Sequence, residues 1–271
     1  MTVSEFSDSF DTLLNSYASQ ATFGEQAAKS EIVLDEYEKS VLLTQAQDMI
    51  LKSYFDNRTN AQGEGFDDSA KRQVDFSSLI KVATLKEIDN PDMVFDDRGI
   101  LYEMPLRKYP EEQDGNISWV EKEGTTDVLF ILNEKLITTV NNITKNYVVV
   151  PINYKEYDRE MSKAYAQPLK KQAWRMFQNQ EQGFDVQSEV IPRWNLTDNE
   201  TITGYKIRYV RRACPIILTD LPDGLEIDGF TKTQECELNP ILHPEILQKA
   251  VEIAISTRGG IAPKQREQQR Q

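Results

Sequence analysis

Residues that could carry out chemistry are numerous in this sequence, but few are spaced as catalysis requires. Acidic residues stand side by side at Asp67–Asp68, Asp96–Asp97 and Glu111–Glu112. Paired carboxylates can bind a metal ion or act as general acid and base. The set closest to a metal-dependent nuclease is Asp92 with Glu103, with Lys108 nearby in the sequence. Because the chain has 44 acidic residues in 271, adjacent pairs are expected by chance, and most should lie on solvated faces.

The single histidine and the two cysteines form no catalytic or metal-binding pattern. His243 stands directly before Pro244 at a predicted helix start, and no second histidine exists to share a metal. Cys214 and Cys236 lack CxxC spacing, so we expect two reduced thiols packed as small apolar groups. Phosphate-binding loops, nucleophile elbows and zinc-protease motifs do not occur. We therefore predict a protein without enzymatic activity, cofactor or metal.

The charge is distributed unevenly along the chain. Residues 1–145 contain 27 acidic and 14 basic residues, whereas residues 146–271 contain 17 of each. A net charge of −13 argues against a protein that grips nucleic acid, because phosphate binding needs a basic face. The acidity either keeps the protein in solution or faces something that must pass without sticking, such as DNA in a channel.

Membrane and export signals are not recognisable in the sequence. No apolar run approaches the ~18 residues that a membrane-spanning helix needs. The first residues, MTVSEFSDSF, have neither a basic nor an apolar signal-peptide region. We expect the protein to be made and folded in the cytosol.

The first 80 residues have helical periodicity. Apolar residues recur at spacings of three and four, at Phe6, Phe10, Leu13, Leu14 and Tyr17, and predict a helix that Ser7 or Ser9 caps. A longer helix is predicted from about Val33 to Tyr54. Its apolar positions cover more than half of the circumference, which is typical of a helix enclosed on two sides by its own domain or by a neighbouring subunit. A shorter helix is predicted over 66–80.

The middle of the chain changes to period-two patterns rich in β-branched residues, which predict strands from about 82 to 154 and from 189 to 227. A helical insert is predicted at 153–178. A last helix begins at Pro244, a position that proline tolerates, and stops at Gly259–Gly260.

Together these patterns predict an α+β fold in which the N-terminal helices and a C-terminal helix form a helical layer, with a β-rich middle region interrupted by a helical segment. The expected domains are a discontinuous helical core of 1–80 plus 243–258, a β-rich region of 81–242, and a flexible polar tail of 259–271. The C-terminal helix should pack on the N-terminal helices.

Two basic clusters stand out against this acidic background. One is Arg208, Arg211 and Arg212 in KIRYVRR, and the other is Lys163, Lys170, Lys171 and Arg175. Either cluster could be a solvated face. Alternatively, these residues contact the acidic N-terminal half of a neighbouring copy, as a head-to-tail ring contact would require. Tyr37 and Val41 are candidates for the same contact. They lie on the helix predicted from Val33 to Tyr54, whose apolar positions cover more than half of its circumference.

Three blocks of the sequence carry a family resemblance. They are FDTLLNSY (10–17) with LDEYEKSVLLTQAQDMILKSYF (34–55); VVPINYKEYDREMSKAYAQPLKKQAWRMF (149–177); and YKIRYVRRACPIILTDL (205–221) with CEL (236–238) and HPEILQKAVEIA (243–254). In this order they resemble the ring-type head–tail adaptor, or connector, proteins of crAss-like bacteriophages. The blocks reach both ends and the middle of the chain, while nothing is carried over for 88–128.

The resemblance implies a structural subunit of the virion neck. Copies would form a closed, dodecameric ring that docks below the portal protein of a podovirus-like tail and is continued by further ring or tail proteins. DNA would pass through without specific binding, and the acidic surplus would face the bore. The polar tail would dock in a groove of the portal or of the next ring through Arg258, Lys264, Arg266 and Arg270.

Two other functions stay open at this point. The chain could be a different virion component, such as a tail-tube ring or a cargo protein ejected with the DNA. It could also be a metal-dependent nuclease or lysin, in which case Asp92 would be needed for activity.

Overall fold

The structure of the chain, a computed structural model, describes residues 1–21, 34–55, 74–89, 94, 98–113, 116–163, 168–169, 171–179, 186–192, 200–222 and 224–259. It divides into two units. The helical unit consists of Met1–Leu79 and Ala213–Gln271, and the barrel unit consists of Ile80–Arg212. Helices come from both ends of the chain and strands from its middle, which confirms the predicted α+β class. Across the described ranges, every helix is too short or too polar to span a membrane.

Helix α1 (Val3–Ala21) begins earlier than the sequence analysis predicted. The hydroxyl of Thr2 accepts a hydrogen bond from the Glu5 amide at 3.4 Å, and the Glu5 carboxylate accepts one from the Thr2 amide at 2.8 Å. This reciprocal capping box satisfies two amides at the helix start. The prediction that Ser7 or Ser9 caps the helix is therefore wrong, and Ser7 instead donates to Glu36 Oε1 at 2.9 Å.

The predicted apolar stripe of α1 is confirmed for its N-terminal part. Phe6, Phe10 and Leu14 are fully buried, whereas Tyr17 is exposed. Because these three side chains are spaced by four residues, they lie on one side of the helix. That side packs against the C-terminal helix.

Helix α2 (Glu36–Phe55) has an unusual buried surface. It includes apolar residues at Leu43, Ala46, Ile50 and Leu51, but also polar residues at Lys39, Ser40, Thr44 and Gln47. Val41 and Met49, in contrast, are exposed. The polar residues thus occupy part of the interior that the sequence pattern assigns to apolar ones.

The buried polar residues of α2 bind the backbone of the extended segment 214–218. Ser40 Oγ accepts from the Leu218 amide at 3.0 Å, and Thr44 Oγ1 accepts from the Ile216 amide at 3.1 Å. Gln47 Nε2 donates to the Cys214 carbonyl at 2.8 Å. Three and four helical residues rise about 4.5 and 6 Å, somewhat less than the roughly 6.7 Å that two extended residues cover, a difference that side chains can span. The spacing therefore lets α2 bind this segment as a partner strand would. We call the contacts of Ser40, Thr44 and Gln47 with the segment the polar ladder.

Residues 213–242 lie in the helical unit. The prediction that strands continue over CPIILTDLPDGLEI (214–227) is wrong, since the described residues of this segment form only isolated bridges, Ile217 with Gln234 and Ile227 with Phe230. Ile217 and Gln234 exchange both of their amide–carbonyl hydrogen bonds, at 3.1 and 3.0 Å. On its other side, the segment bonds the side chains of the polar ladder through its amide and carbonyl groups. A sheet is therefore not needed to satisfy these backbone groups.

The C-terminal helix α4 (His243–Gly259) follows a short 3-10 turn at Pro240–Leu242. Its buried face consists of Ile246, Leu247, Ala250, Val251 and Ala254. This face packs on α1 and α2, which confirms that helices from both ends of the chain form one layer.

The strands of the barrel unit close into a seven-stranded barrel. They are β1 (Ile80–Ile88), β2 (Ile100–Glu103), β5 (Val128–Val140), β6 (Ile143–Pro151), β7 (Gln172–Asn179), β8 (Val186–Pro192) and β9 (Glu200–Arg211). Their order around the barrel is β1-β2-β8-β7-β6-β5-β9. Neighbouring strands are antiparallel, except for the parallel pair β6–β7. Closure pairs the barrel edges and leaves them unavailable for further strands.

The helical insert predicted at 153–178 is shorter than expected. Helix α3 (Tyr154–Met161) is capped by Asn153, whose side chain accepts a hydrogen bond from the Glu156 amide at 2.8 Å. The rest of the segment includes strand β7. Pro168 cannot continue a helix. In the sequence AWRM (173–176) of β7, alternate side chains face the barrel interior, while Trp174 and Met176 pack with Ile191 against Tyr157 of α3.

Strands β3 (Leu106–Gln113) and β4 (Asn116–Thr126) form a two-stranded sheet separate from the barrel strands. Trp119 of β4 lies opposite Pro110, and Val120 lies opposite Tyr109. Trp119 is 53% exposed. The helix predicted over 66–80 falls largely outside the described residues. The last residue of that range, Ile80, is the first residue of β1.

Candidate assembly surfaces

The exposed side of α2 presents apolar side chains at intervals of four and eight residues. Tyr37 is half-buried, while Val41 and Met49 are 36% and 45% exposed. The polar ladder is the reason, because it turns Ser40, Thr44 and Gln47 inward and leaves these apolar positions facing outward. Tyr37 and Val41, both predicted contact residues, thus lie on an accessible surface of the helical unit.

Arg175, another predicted contact residue, lies inside the barrel. Its Nη2 is 2.8 Å from Glu134 Oε1 and its Nε is 3.2 Å from Glu134 Oε2. The hydroxyl of Tyr205 donates to the same Oε2. Burial and the neighbouring Glu134 charge raise the pKa of Tyr205 far above its usual value, so this phenol stays a neutral donor. The guanidinium is therefore occupied in the interior and does not reach the surface.

Arg208 lies on the outer face of the barrel beside two lysines that the sequence analysis missed. Lys135 of β5 stands directly opposite Lys206 of β9, and this row continues to Val148 of β6 and Thr84 of β1. The adjacent row contains Asn133, Arg208 and Val82. Neither row contains a carboxylate, and like charges directly opposite each other repel. We call Lys135, Lys206 and Arg208, with the flanking Val82 and Val148, the basic barrel face.

Arg211 and Arg212 lie at the end of β9 and are not part of this face. Arg211 is half-buried and donates through Nη1 to the Arg212 carbonyl at 3.3 Å. Arg212 is exposed, and its amide donates to the Asp127 carbonyl at 2.8 Å. Burial, together with the Asp127 charge, raises the pKa of the adjacent Tyr209 to about 12. Strand alternation explains the separation, since Arg208 and Arg211 are three positions apart.

The remaining predicted contact residues are only partly covered by the structure. Lys170, Lys264, Arg266 and Arg270 lie outside the described residues. Arg258 lies in the last turn of α4, where the backbone is described but the side chain is not.

The helical unit has most of the negative charge of the chain. It contains 23 acidic and 12 basic residues, against 21 and 19 in the barrel unit. A shallow surface depression in the helical unit is lined by Thr2, Val3, Ser4, Ser7, Asp8, Glu36, Leu218, Thr219 and Glu235. Asp8 and Glu235 are exposed at this depression. We call Asp8, Glu36 and Glu235 the acidic depression.

Glu36 is partly neutralised by the buried Lys39. The Lys39 ammonium lies 2.9 Å from Glu36 Oε1 and 2.7 Å from Asp11 Oδ2. Burial by itself lowers the pKa of Lys39, but the hydrogen bonds to Asp11 and Glu36 outweigh it, so that its pKa is raised overall. Lys39 therefore remains charged, and the net negative charge at the depression comes chiefly from Asp8 and Glu235.

The histidine and the cysteines are packed within the helical unit. His243 Nε2 lies 3.0 Å from the Leu238 carbonyl, and Nδ1 lies 2.9 Å from the Met1 nitrogen. Burial lowers the pKa of His243. Cys214 and Cys236 are not joined by a disulfide, and burial raises the pKa of Cys236 to about 11. A thiol with so high a pKa is a poor nucleophile at neutral pH.

The residues considered for a nuclease are spread over separate elements. Glu103 on β2 lies opposite Lys86 on β1, and Lys108 on β3 pairs with Glu121 at 3.3 Å. Asp92 lies outside the described residues. Over the described ranges, no three His, Cys, Asp or Glu side chains are grouped so that they could hold a metal ion.

Comparison with known proteins identifies the family. The profile of the phage tail ring protein 3/4 family matches residues 1–266. The chain belongs to this ring protein family. It is 42% identical over 258 residues to ring protein 4/5 of Bacteroides phage crAss001, an alignment that covers 94% of this chain and 92% of that protein. It is 30% identical over 258 residues to ring protein 3 of the same phage, covering 95% of this chain and 96% of that protein.

Membership of the ring protein family confirms the resemblance drawn from the three sequence blocks. The chain is a crAss-like phage ring protein, and such a protein is a structural component. The surfaces that matter for its function are therefore those on which copies and partners meet.

Two features of these surfaces escaped the sequence analysis. Lys135 follows Glu134 in a strand whose alternation places Leu136 inside, so that period-two parity alone could have indicated its outward position. Its pairing with Lys206 depends on the register between β5 and β9, for which the sequence contains no local signal.

Proposed function

We propose that this chain is a structural subunit of the virion neck of a crAss-like phage, where its copies close into a ring below the portal protein. The observation that carries the proposal is the family match over residues 1–266. The ring is proposed to contain twelve copies, to be continued by other ring or tail proteins, and to form part of the conduit between capsid and tail. Assembly would take place in the cytoplasm of the bacterial host.

The proposed contacts between copies use the exposed side of α2 and the basic residues of β9. On α2 they are Tyr37 and Val41, to which exposure adds Met49. On β9 they are Arg208, Arg211 and Arg212. Exposed apolar side chains grouped on one surface are typical of protein interfaces. We propose Lys170 as a further contact residue, and Arg258, Lys264, Arg266 and Arg270 as the part of the C-terminal segment that docks on the portal or the next ring.

The acidic surplus is proposed to let DNA slide through the conduit. The phosphate backbone is attracted only where cations neutralise it, and the chain has 44 acidic residues against 31 basic ones. A bore lined by carboxylates repels DNA over about 8–10 Å at physiological salt, which prevents the DNA from adhering to the wall.

The decisive experiment is electron microscopy of the purified chain, alone and after mixing with isolated portal particles. We expect annular particles, with twelvefold class averages when the ring is bound to portal. A chain that stays monomeric and ignores the portal would contradict the proposal. A chain that binds isolated tails but not portals would instead be a tail-tube ring, and one released with the DNA during ejection would be a cargo protein.

A further inference from the structure

We propose that the basic barrel face of one copy binds the acidic depression in the helical unit of the next copy around the ring. This inference rests on the proposed function, because it assumes that copies of the chain assemble with one another. It goes further by assigning both halves of a contact.

The basic barrel face has features that a partner would explain. Lys135 and Lys206 face each other directly across β5 and β9, an arrangement that destabilises a sheet when it has no counter-charge. Over the described part of the chain, no ion pair joins Lys135, Lys206 or Arg208 to a carboxylate. An anionic surface placed over this row would relieve the repulsion.

Apolar side chains flank these cations. Val82 is 65% exposed and Val148 is 59% exposed. Val82 stands opposite Arg208, and Val148 stands opposite Lys135. A solvated lysine face does not need two exposed valines at its margins, whereas an interface gains from burying them, at about 25 cal/mol for each Å² removed from water. The face therefore combines charge and apolar area in the way that interfaces do.

The helical unit of a second copy supplies the complementary charge. It contains 23 acidic and 12 basic residues. Asp8 and Glu235 are exposed at its surface depression, and neither forms an ion pair with a described residue. Two carboxylates on one unit and three cations on the other, each without an ion pair to a described residue, are suited to each other across a subunit boundary.

A contact between two different surfaces of the same chain has a consequence for symmetry. Such a contact is heterologous, so every copy offers one free surface on each side and further copies can be added. The series closes into a ring when the rotation at each step is a whole fraction of a turn, and otherwise it continues as an open helix. The proposed pairing therefore favours a closed ring of copies over a two-fold dimer.

Double-stranded DNA is the other polyanion that could meet the basic barrel face. Two observations favour the second copy. The net charge of −13 repels DNA at long range, and phosphate contacts usually come from a more extensive basic surface. In addition, the exposed Val82 and Val148 contribute nothing to phosphate binding.

The experiment uses two charge-reversal variants of the full chain. Lys135→Glu with Lys206→Glu reverses the basic barrel face, and Asp8→Lys with Glu235→Lys reverses the acidic depression. Each variant alone should need at least about tenfold more protein for assembly than the unmodified chain, as measured by mass photometry and electron microscopy. An equimolar mixture should regain assembly, because reversed faces meet reversed depressions and intact faces meet intact ones in alternation.

The matched control reverses two cations elsewhere on the barrel unit. Lys155 and Arg159 are exposed on α3, so Lys155→Glu with Arg159→Glu changes the net charge equally and should assemble like the unmodified chain. Circular dichroism must show that all variants are folded to the same extent. Raising the salt concentration should weaken assembly of the unmodified chain.

The possible outcomes separate this inference from the proposed function. If the unmodified chain forms rings and the face variant forms them equally well, the inference is wrong and the ring function stands. If folded variants fail alone and also fail when mixed, the two surfaces do not bind each other. If the face variant assembles normally but loses binding to labelled double-stranded DNA, the face binds DNA instead. An unmodified chain that never assembles contradicts both proposals.

Discussion

The hydroxyl of Thr44 on helix α2 accepts a hydrogen bond from the amide of Ile216, 3.1 Å away, and lies 3.3 Å from the carbonyl of the same residue. One helical side chain thus satisfies both backbone groups of an extended residue, as a partner strand would do. On either side, Ser40 accepts from the Leu218 amide and Gln47 donates to the Cys214 carbonyl. The position of segment 214–218 on the helical layer therefore depends on these side chains.

Replacing Thr44 by valine should destabilise the helical unit. The substitution keeps the shape but leaves the buried Ile216 amide without an acceptor, which costs about 1–3 kcal/mol. Urea denaturation followed by circular dichroism would measure the loss. Thr12→Val is the matched control. The Thr12 hydroxyl donates to the Asp8 carbonyl of its own helix at 2.8 Å, but Thr12 is exposed. An equal loss in both variants would show that the ladder adds nothing specific.

The ion pair inside the barrel should show strong coupling in a double-mutant cycle. Arg175→Met alone leaves the Glu134 carboxylate buried without its counter-charge. Glu134→Leu alone leaves the Arg175 guanidinium buried without its counter-charge. Each single change should cost about 3–5 kcal/mol, whereas the double change should cost clearly less than their sum. Urea denaturation of the four proteins, followed by tryptophan fluorescence, gives the coupling energy. Simple additivity would mean that the two groups do not stabilise each other.

The same pair shows where sequence analysis reached its limit in the barrel unit. Period-two patterns predicted most of its strands, because β-branched residues alternate visibly in segments such as 127–140. Barrel closure was not predictable, since β1 pairs with β9 more than a hundred residues away and such pairing leaves no local pattern. Arg175 is predicted as a contact residue because it belongs to a basic cluster, and its burial depends on Glu134, which lies on another strand.

The helical unit illustrates a different limit. The apolar spacing of Phe6, Phe10 and Leu14 predicted the packed side of α1, since those residues pack through apolar area alone. On α2 the apolar spacing did not predict the buried side. Ser40, Thr44 and Gln47 are buried because they form hydrogen bonds with a segment far along the chain. A polar residue with an internal partner has the same sequence signature as one facing solvent. Val41 and Met49 were left exposed as a result.

The exposed indole of Trp119 on β4 should contribute little to folding. Trp119 is 53% exposed, and substitutions of exposed residues usually change stability by less than about 0.5 kcal/mol. Trp119→Ser should therefore leave the urea midpoint of the barrel unit nearly unchanged, with circular dichroism as the readout. A loss above about 2 kcal/mol would show that the indole packs within the protein.

Stability should depend on pH through His243. Burial lowers its folded-state pKa, so the folded state binds fewer protons than the unfolded state, whose histidine titrates near 6.5. The contribution of the neutral imidazole is present above that value and is lost as the pH falls through the lower folded-state pKa. His243→Gln keeps a donor for the Leu238 carbonyl but does not titrate. Thermal unfolding at pH 7 and pH 5 should show a smaller decrease for this variant than for the unmodified chain.

Val41 offers the sharpest test of the proposed contact on α2. Because its side chain is 36% exposed, Val41→Glu should change the free energy of unfolding by no more than about 0.5 kcal/mol. In a ring, however, the same glutamate would be buried against a neighbour, where an unpaired charge is costly. We therefore expect a folded monomer in mass photometry under conditions in which the unmodified chain assembles. Ile241→Glu is the control, since Ile241 is 65% exposed on the 3-10 turn of the same unit. If this control abolishes assembly while Val41→Glu does not, the contact lies near the 3-10 turn rather than on α2.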